Sequence, residues 1–265
     1  MKTGKDMAEI ETIGIIGGGG WLGSAIARAL LASGRATRDS LTCSYRSAIP
    51  ADAPDCRWTR DNAELVAASQ VVILSLRPGD WPGVGLDLRG RLVISVMAGV
   101  PVADIRHRSG ATRIARALPN AAAAIGQSYT PFFLSSDDPA DDARLTSIFA
   151  TCGLVDRVGS EDHIDYFTAM SGSGEAFPAL LAQAMIADAK ARGIPPDIAE
   201  RAGRQVLIGA GRMLEQHGRP PAEVVQGFVD YAGTTAAGIN AMRAHGFDEA
   251  VRAGLQAAYL KARPG

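Results

Sequence analysis

The sequence predicts a doubly wound parallel α/β sheet followed by an all-α domain. Three observations carry this. Short, wholly apolar runs alternate with helical periodicity over roughly the first 160 residues. The first of those runs leads directly into four consecutive glycines, Gly17 to Gly20. From His163 onward the texture changes: Ala, Leu, Gln, Arg, Glu and Met dominate, and no β-branched run bounded by turns occurs.

Taken in order, residues 12–16 (TIGII) read as a buried strand, and a helix follows over Gly23–Ser33 with Ala25, Ile26, Ala29 and Leu30 on one face. Gly34 supplies its stop, since a glycine adopts the left-handed conformation that ends a helix. Leu41–Tyr45 reads as a second strand, followed by a Pro-bearing loop and a helix near Ala63–Ala68. Val71–Leu76 and Leu92–Val96 give the third and fourth strands, and Ile114–Ala117 and Tyr129–Leu134 two later ones. Strands that are apolar throughout belong to a parallel sheet covered by helices on both faces. The expected division is residues 1–160 and 161–265. In the second part, helices are predicted at Ala176–Arg192, stopped by Gly193 and Pro195, and at Asp197–His217, stopped by Gly218, Pro220 and Pro221. Further helices are expected at Ala222–Tyr231, Thr234–Ala244 and Phe247–Leu260. About 100 residues is thin for an independent core, and the Ala- and Gly-rich faces suit close packing, so this part is expected to pack against another subunit.

Composition narrows the function classes. The 265 residues are 47% hydrophobic and 21% charged, with a formal net charge of -1 and no long basic or acidic run. That balance argues against nucleic acid or a membrane surface as partner. Cys43, Cys56 and Cys152 form no CxxC pair and His107, His163, His217 and His245 are scattered, so no spacing points to a metal. No apolar run precedes Ile13 to make a secretory leader, and stretches such as Val71 to Leu74 are too short to span a bilayer. The expected location is the cytoplasm.

The glycines carry the chemistry. In IGIIGGGGWLG, Gly18, Gly20 and Gly23 satisfy G-x-G-x-x-G, while Gly17, Gly19 and Leu22 give a shifted near-match. A strand before and a helix after are what the motif needs: glycines let the backbone turn sharply and approach a pyrophosphate seated on the helix N-terminus. This marks a Rossmann domain; both registers remain open. Trp21, inside the loop, reads as a residue packing over the cofactor. An acidic residue at the end of the second strand would hold a ribose 2′-hydroxyl, and an arginine a 2′-phosphate. Asp39 precedes the strand, whereas Ser44, Tyr45, Arg46 and Ser47 end it. Arg46 offers a planar donor fork and Ser47 a hydroxyl, which favours NADPH.

At this point the chain resembles the pyrroline-5-carboxylate reductase family over essentially its whole length. The family's strand-end N-R-S/T is echoed by Tyr45-Arg46-Ser47, its V-K-P by Leu76-Arg77-Pro78, and its S-x-x-A-G by Ser95-Val96-Met97-Ala98-Gly99. R-x-M-P-N becomes Arg116-Ala117-Leu118-Pro119-Asn120, and T-A-x-S-G-S-G-P-A-Y becomes Thr168 through Phe177. S-P-G-G-T-T becomes Asp230-Tyr231-Ala232-Gly233-Thr234-Thr235. The resemblance implies an NADP-binding Rossmann domain followed by a helical dimerisation domain, assembled as a homodimer or a ring of dimers. It further implies NADPH-dependent reduction of the C=N bond of a small cyclic imine, as in proline formation, with the substrate between the Rossmann edge and helices of a partner subunit. By the same resemblance Asn62, Leu76, Arg77, Pro78, Ala98 and Gly99 line the cofactor together with Gly17 to Leu22, Asn120, Gly233 and Thr234 belong to the substrate site, and Thr235 contacts the substrate.

Two departures bear on the substrate. Asp230 stands where the family has a serine, and Glu175 where it has a proline. An ionised carboxylate only accepts hydrogen bonds, and facing a substrate carboxylate at about 4 Å it costs ~1 kcal/mol in water and ~4 at an effective dielectric of 20. The pair suggests a cationic imine that lacks the carboxylate, with Asp230 or Tyr231 supplying the proton to nitrogen. Against this, Glu175 can be a helix-start acid, and Asp230 can turn outward to pair with an arginine. A dehydrogenase acting on a C–OH group would want a lysine or histidine base in the first long helix, and Lys190 lies near that helix's far end. A protein that binds NADPH without catalysis, as a sensor or scaffold, is the alternative from a different class.

Overall fold

A computed structural model of the chain describes residues 11–263; the N-terminal stretch read above as lacking a secretory leader lies largely outside them. The first part alternates as expected: β1 (Ile13–Ile16), α1 (Trp21–Ala32), β2 (Leu41–Ser44), β3 (Arg57–Thr59), α2 (Asn62–Ala67), β4 (Val71–Leu74), β5 (Leu92–Ser95), α3 (Val102–Ser109), β6 (Arg113–Ala117), β7 (Ser128–Leu134), α4 (Pro139–Phe149), β8 (Gly153–Arg157) and α5 (Glu161–Met170). Short 3₁₀ turns at Pro78–Gly83 and Ala121–Ile125 complete it. The eight strands form one sheet in the order β3-β2-β1-β4-β5-β6-β7-β8, whose reversal beside β1 is the doubly wound signature.

Apolar strands alternate sides, so each feeds two cores. Ile13, Ile15, Ile73 and Ile94 join Ile26 and Leu30 of α1 and Leu145, Ile148 and Phe149 of α4 on one face. Ile16, Val72, Leu74 and Val93 join Leu65 of α2, Ile105 of α3 and Trp81 on the other. Each such fully buried side chain stabilises the domain by about 1.5–3 kcal/mol relative to exposure. Trp81 can be buried because its indole N–H donates to Asp104 at 2.7 Å, which satisfies the ring's one polar group.

The sheet is not wholly parallel, as the sequence reading had it: β7 runs antiparallel to β6, pairing Ala115 with Leu134 and Ala117 with Phe132. The reason lies in the connection. Residues 118–127 hold only a 3₁₀ turn, which is too short for the crossover a parallel partner needs.

Helix ends follow capping chemistry. Asp61 accepts from the backbone N–H groups of Ala63 and Glu64 at the start of α2, Asp138 from Ala140 at α4, and Ser160 from His163 at α5. Gly34, after α1, has φ 73°, as the left-handed stop requires.

The second part consists of α6 (Ala176–Ala191), α7 (Pro196–His217), α8 (Pro221–Tyr231), α9 (Thr234–Ala244) and α10 (Phe247–Ala262). Residues 173–257 make one compact unit; residues 11–172 with 258–263 make the other. Within the helical unit α6 and α7 pack so closely that a Cβ on Gly203 would lie 2.5 Å from Ile186 Cγ1. Little else is buried there, and Leu180, Val206, Met213 and Phe228 are all exposed.

Candidate active site

The phosphate loop is built where β1 hands over to α1. Gly17 has φ 83°, and a Cβ there would meet Ser75 O at 2.2 Å, so only glycine fits. Gly20 donates to Gly17 O at 3.0 Å, closing a turn over Gly17–Gly20. A Cβ on Gly23 would lie 2.6 Å from Gly17 O and 3.0 Å from Gly18 Cα. That tight helix-to-loop packing is the task of the motif's third glycine, and it supports the register ending in Gly23; the left-handed turn, however, belongs to Gly17. Leu22, the shifted alternative for that third place, packs instead against the core.

The loop suits an anion. Gly20 caps α1 with no side chain, and the first turn holds no acidic residue, so the initial N–H groups and the helix dipole stay available. Gly19 is instructive by contrast. Its φ is not positive, and a Cβ there would meet nothing nearer than Pro50 Cδ at 3.7 Å. The protein itself does not demand glycine at that position; the approach of a bulky ligand would. Trp21 is 66% exposed beside it, able to lie over whatever binds.

The end of β2 brings the ribose-phosphate candidates alongside. Tyr45 Cβ lies 3.8 Å from a Cβ placed on Gly19, so the glycine loop and the Tyr45–Pro50 segment adjoin. Arg46 sits at 3.8 Å from Asp80, with both side chains largely in solvent. Asp39 lies outside the strand and pairs with Arg57 at 3.1 Å, in keeping with its reading as a loop residue. A residue the sequence reading passed over also faces this segment: Arg60 donates from Nη2 to Ser47 O at 2.8 Å and lies 5.2 Å over the Tyr45 ring. It follows a three-residue edge strand with no apolar run, so nothing in the pattern marked it.

Asn62 opens α2, half-buried behind the Asp61 cap. Leu76, Arg77 and Pro78 leave β4, with Leu76 packed on the sheet's second core and Arg77 and Pro78 exposed. Ala98 and Gly99 turn after β5; Gly99 has φ 68°, and a Cβ on it would sit 3.2 Å from Ala262 O. Asn120 is held by its own bonds: Oδ1 accepts from Ala122 N–H at 3.1 Å, Nδ2 donates to Ser171 O at 3.1 Å, and its N–H donates to Ser128 Oγ. Four residues back, Arg116 is buried and pairs with Asp165 at 2.7 Å and Glu161 at 3.2 Å. Glu161 also accepts from Val102 N–H at 2.9 Å, which ties β6, α5 and the start of α3 together below the Ala98–Gly99 turn.

The remaining candidates all lie in the helical unit. α8 ends at Tyr231, which is 85% exposed, and Ala232 turns left-handed with φ 56°. Gly233 then caps α9, whose first residues are Thr234 and Thr235, with no side-chain cap and no acid in the first turn. Two hydroxyls and uncapped N–H groups therefore stand together, a donor set suited to a carboxylate. Asp230 Oδ1 accepts from Gln226 Nε2 at 2.7 Å, a neighbour on its own helix. Glu175 precedes α6 without capping it. Neither carboxylate forms an ion pair among the described residues. Lys190 pairs with Glu200 at 2.7 Å, and no group of three or more His, Cys, Asp or Glu side chains is placed to hold a metal among the described residues.

Fold and loop together define a dinucleotide-binding oxidoreductase with a helical partner domain. Comparison with known proteins gives the family. Residues 161–264 match the model for pyrroline-5-carboxylate reductase dimerisation, and residues 12–99 match that for NADP oxidoreductase, coenzyme F420-dependent. Pyrroline-5-carboxylate reductase 2 of Bacillus subtilis is 32% identical over 206 residues, covering 74% of this chain and 72% of its own. Pyrroline-5-carboxylate reductase 3 of Rattus norvegicus is 28% identical over 274 residues, covering 97% of each. The structure of a pyrroline-5-carboxylate reductase from Coxiella burnetii superposes with a TM-score of 0.86 at 28% identity, covering 96% of this chain and 98% of that one. The chain belongs to the pyrroline-5-carboxylate reductase family.

Proposed function

We propose that the protein reduces the C=N bond of a small cyclic imine with NADPH, pyrroline-5-carboxylate being the reference substrate. The observation that carries this reading is the uncapped start of α9, where Gly233, Thr234 and Thr235 keep a carboxylate-receiving donor set in a chain that also carries the glycine loop. Family membership supports the reaction type. In it, NADPH supplies the hydride. The chain's own residues do the rest: Gly17 to Leu22 seat the pyrophosphate, Arg46 and Ser47 take the 2′-phosphate, and Asn62, Leu76, Arg77, Pro78, Ala98 and Gly99 line the remainder. Thr235 hydrogen-bonds the substrate, Asn120, Glu175, Gly233 and Thr234 serve substrate binding, and Tyr231 or Asp230 carries the proton to the ring nitrogen. Residues 1–160 serve as the NADP-binding domain and 161–265 as the dimerisation and substrate domain of a cytoplasmic homodimer. Three buried, unpaired thiols fit a reducing compartment.

A second reading is favoured by one observation. Asp230 replaces the family's serine and is compensated only by a neutral amide, Gln226, so its charge is available to oppose an acidic substrate and to favour an iminium. NADPH oxidation by the purified protein, with pyrroline-5-carboxylate and 1-pyrroline compared in one assay, decides between them. Turnover of the acid with higher kcat/KM supports the first reading; preference for the uncharged ring supports the second. Under the second, Asp230→Ser raises kcat/KM on the acid by about fivefold to roughly a thousandfold, from ~1–4 kcal/mol of relieved repulsion. Cofactor binding without turnover of either imine overturns both and leaves a sensor.

A further inference from the structure

We propose that Arg60 is a second cation for the 2′-phosphate of NADPH and hence a determinant of the choice between NADPH and NADH; the inference rests on the cofactor reading above. Four observations place it there. Its guanidinium donates to the carbonyl of Ser47, the residue whose hydroxyl stands at the strand end, so the charge lies against the segment that would receive the phosphate. Its guanidinium carbon lies over the ring of Tyr45, 5.2 Å from the centroid, and that ring is braced edge-on by Trp58 at 6.2 Å. Tyr45 is itself bonded through its N–H to Thr59 O at 3.2 Å, which fixes the distance between the two segments. Finally, the carboxylates nearest along the chain are engaged elsewhere: Asp61 caps α2, and Glu64 accepts from Thr59 Oγ1 at 2.7 Å. Among the described residues Arg60 forms no ion pair.

A guanidinium offers five N–H donors, and Arg60 spends Nη2 on the Ser47 carbonyl. The rest of the fork remains for an anion. Arg46, by comparison, lies 3.8 Å from Asp80 in an exposed pair of the kind that is weak and readily exchanged. A phosphate dianion arriving at Ser47 would therefore meet one arginine that swings from Asp80 and one that is already oriented by a ring and a carbonyl. An oriented fork loses less conformational freedom on binding than a free one. NADH, with a 2′-hydroxyl, would gain nothing from either charge.

The test is equilibrium binding to the full-length protein, read by cofactor fluorescence for NADPH and NADH separately, without imine. Arg60→Gln is expected to weaken NADPH about tenfold or more, the worth of a charge-assisted hydrogen bond, and to leave NADH within about twofold. Equal weakening of both cofactors would show that Arg60 only holds the Tyr45–Ser47 segment, and no change in either would remove it from the site; both results overturn the inference. Arg60→Lys keeps the charge without the fork, so NADPH affinity between wild type and Gln is expected, again with NADH constant. That variant decides the matter if Arg60→Gln lowers thermal stability. A wild-type protein that binds neither nucleotide overturns the cofactor reading itself, whereas tight NADPH binding untouched by either variant overturns only the role of Arg60.

Discussion

Ala232 carries φ 56°, a conformation in which a β-carbon crowds the following carbonyl at a cost of roughly 1–2 kcal/mol. The family motif has glycine at this place, so the substitution strains the turn that delivers Gly233, Thr234 and Thr235. Ala232→Gly relieves that cost but adds about 0.4–1 kcal/mol of unfolded-chain freedom, so a net gain of about 1 kcal/mol or less in unfolding free energy is expected by urea titration, and a loss would contradict the strain. A second residue-scale prediction concerns Asp141, whose side chain is fully buried against Arg113 and Arg144. The Arg113 guanidinium first, and Arg144 second, hold its carboxyl below the usual carboxylate range. A depressed folded value means the stabilisation is present above the ordinary carboxylate pKa near ~4 and is lost as pH falls through the lower folded value. Asp141→Asn should therefore cost about 2 kcal/mol at neutral pH, given partly exposed arginines, and the gap from wild type should close in acid. Denaturant midpoints measured from pH 7 down to pH 3 check this; a gap independent of pH would mean that packing, not charge, is at stake.

At the scale of elements, the glycine loop separates two reasons for having no side chain. Gly17→Ala forces a Cβ onto a backbone oxygen at positive φ, and should destabilise the fold by about 2 kcal/mol or more. Gly19→Ala meets only ordinary contacts, so stability should stay within about 0.5 kcal/mol while NADPH affinity falls. Thermal melts with and without NADPH distinguish them: a Gly19→Ala protein that folds and binds as wild type does would remove Gly19 from the pyrophosphate site. The same loop shows what the sequence makes legible. β1, β4 and β5 were readable because strands buried on both faces are nearly continuous apolar runs, β2, β6 and β7 from apolar residues between turns, and the helices from α6 to α10 were readable within two residues because Gly and Pro stop them. β3 and β8 were not. Each lies at a sheet edge, so Arg57, Asp156 and Arg157 are exposed, and an edge leaves no apolar run to read. The antiparallel turn to β7 escaped for a related reason, because pattern reports burial and not direction. In the candidate site, motif spacing pointed to Gly17 to Gly23 and Arg46. Arg60 and the Arg116 network depend on contacts between segments far apart in the chain, which no local pattern contains.

For the whole molecule, the exposed side chains of the helical unit carry the next expectation. Leu180, Val206, Met213, Phe228 and Val251 are exposed together with many smaller apolar groups, more than a solitary unit of that size usually presents to water. The protein should run at twice the mass of one chain in light scattering, and Leu180→Asp combined with Val206→Asp should shift it to one chain. A stable wild-type monomer would refute this. No helix among the described residues is long and apolar enough to cross a membrane. A different property of the whole follows from the cysteines. All three are buried, and the hydrogen bond that Cys43 donates to its neighbour Cys56, with burial second, pushes the Cys43 thiol far up. Cys56, the acceptor of that bond, is held below the usual thiol range, so it is burial that shields the three thiols from alkylating reagents. A cysteine placed at Trp21 would give the folded chain one fast-reacting handle, and its masking by nucleotide would report occupancy of the glycine loop with no turnover needed.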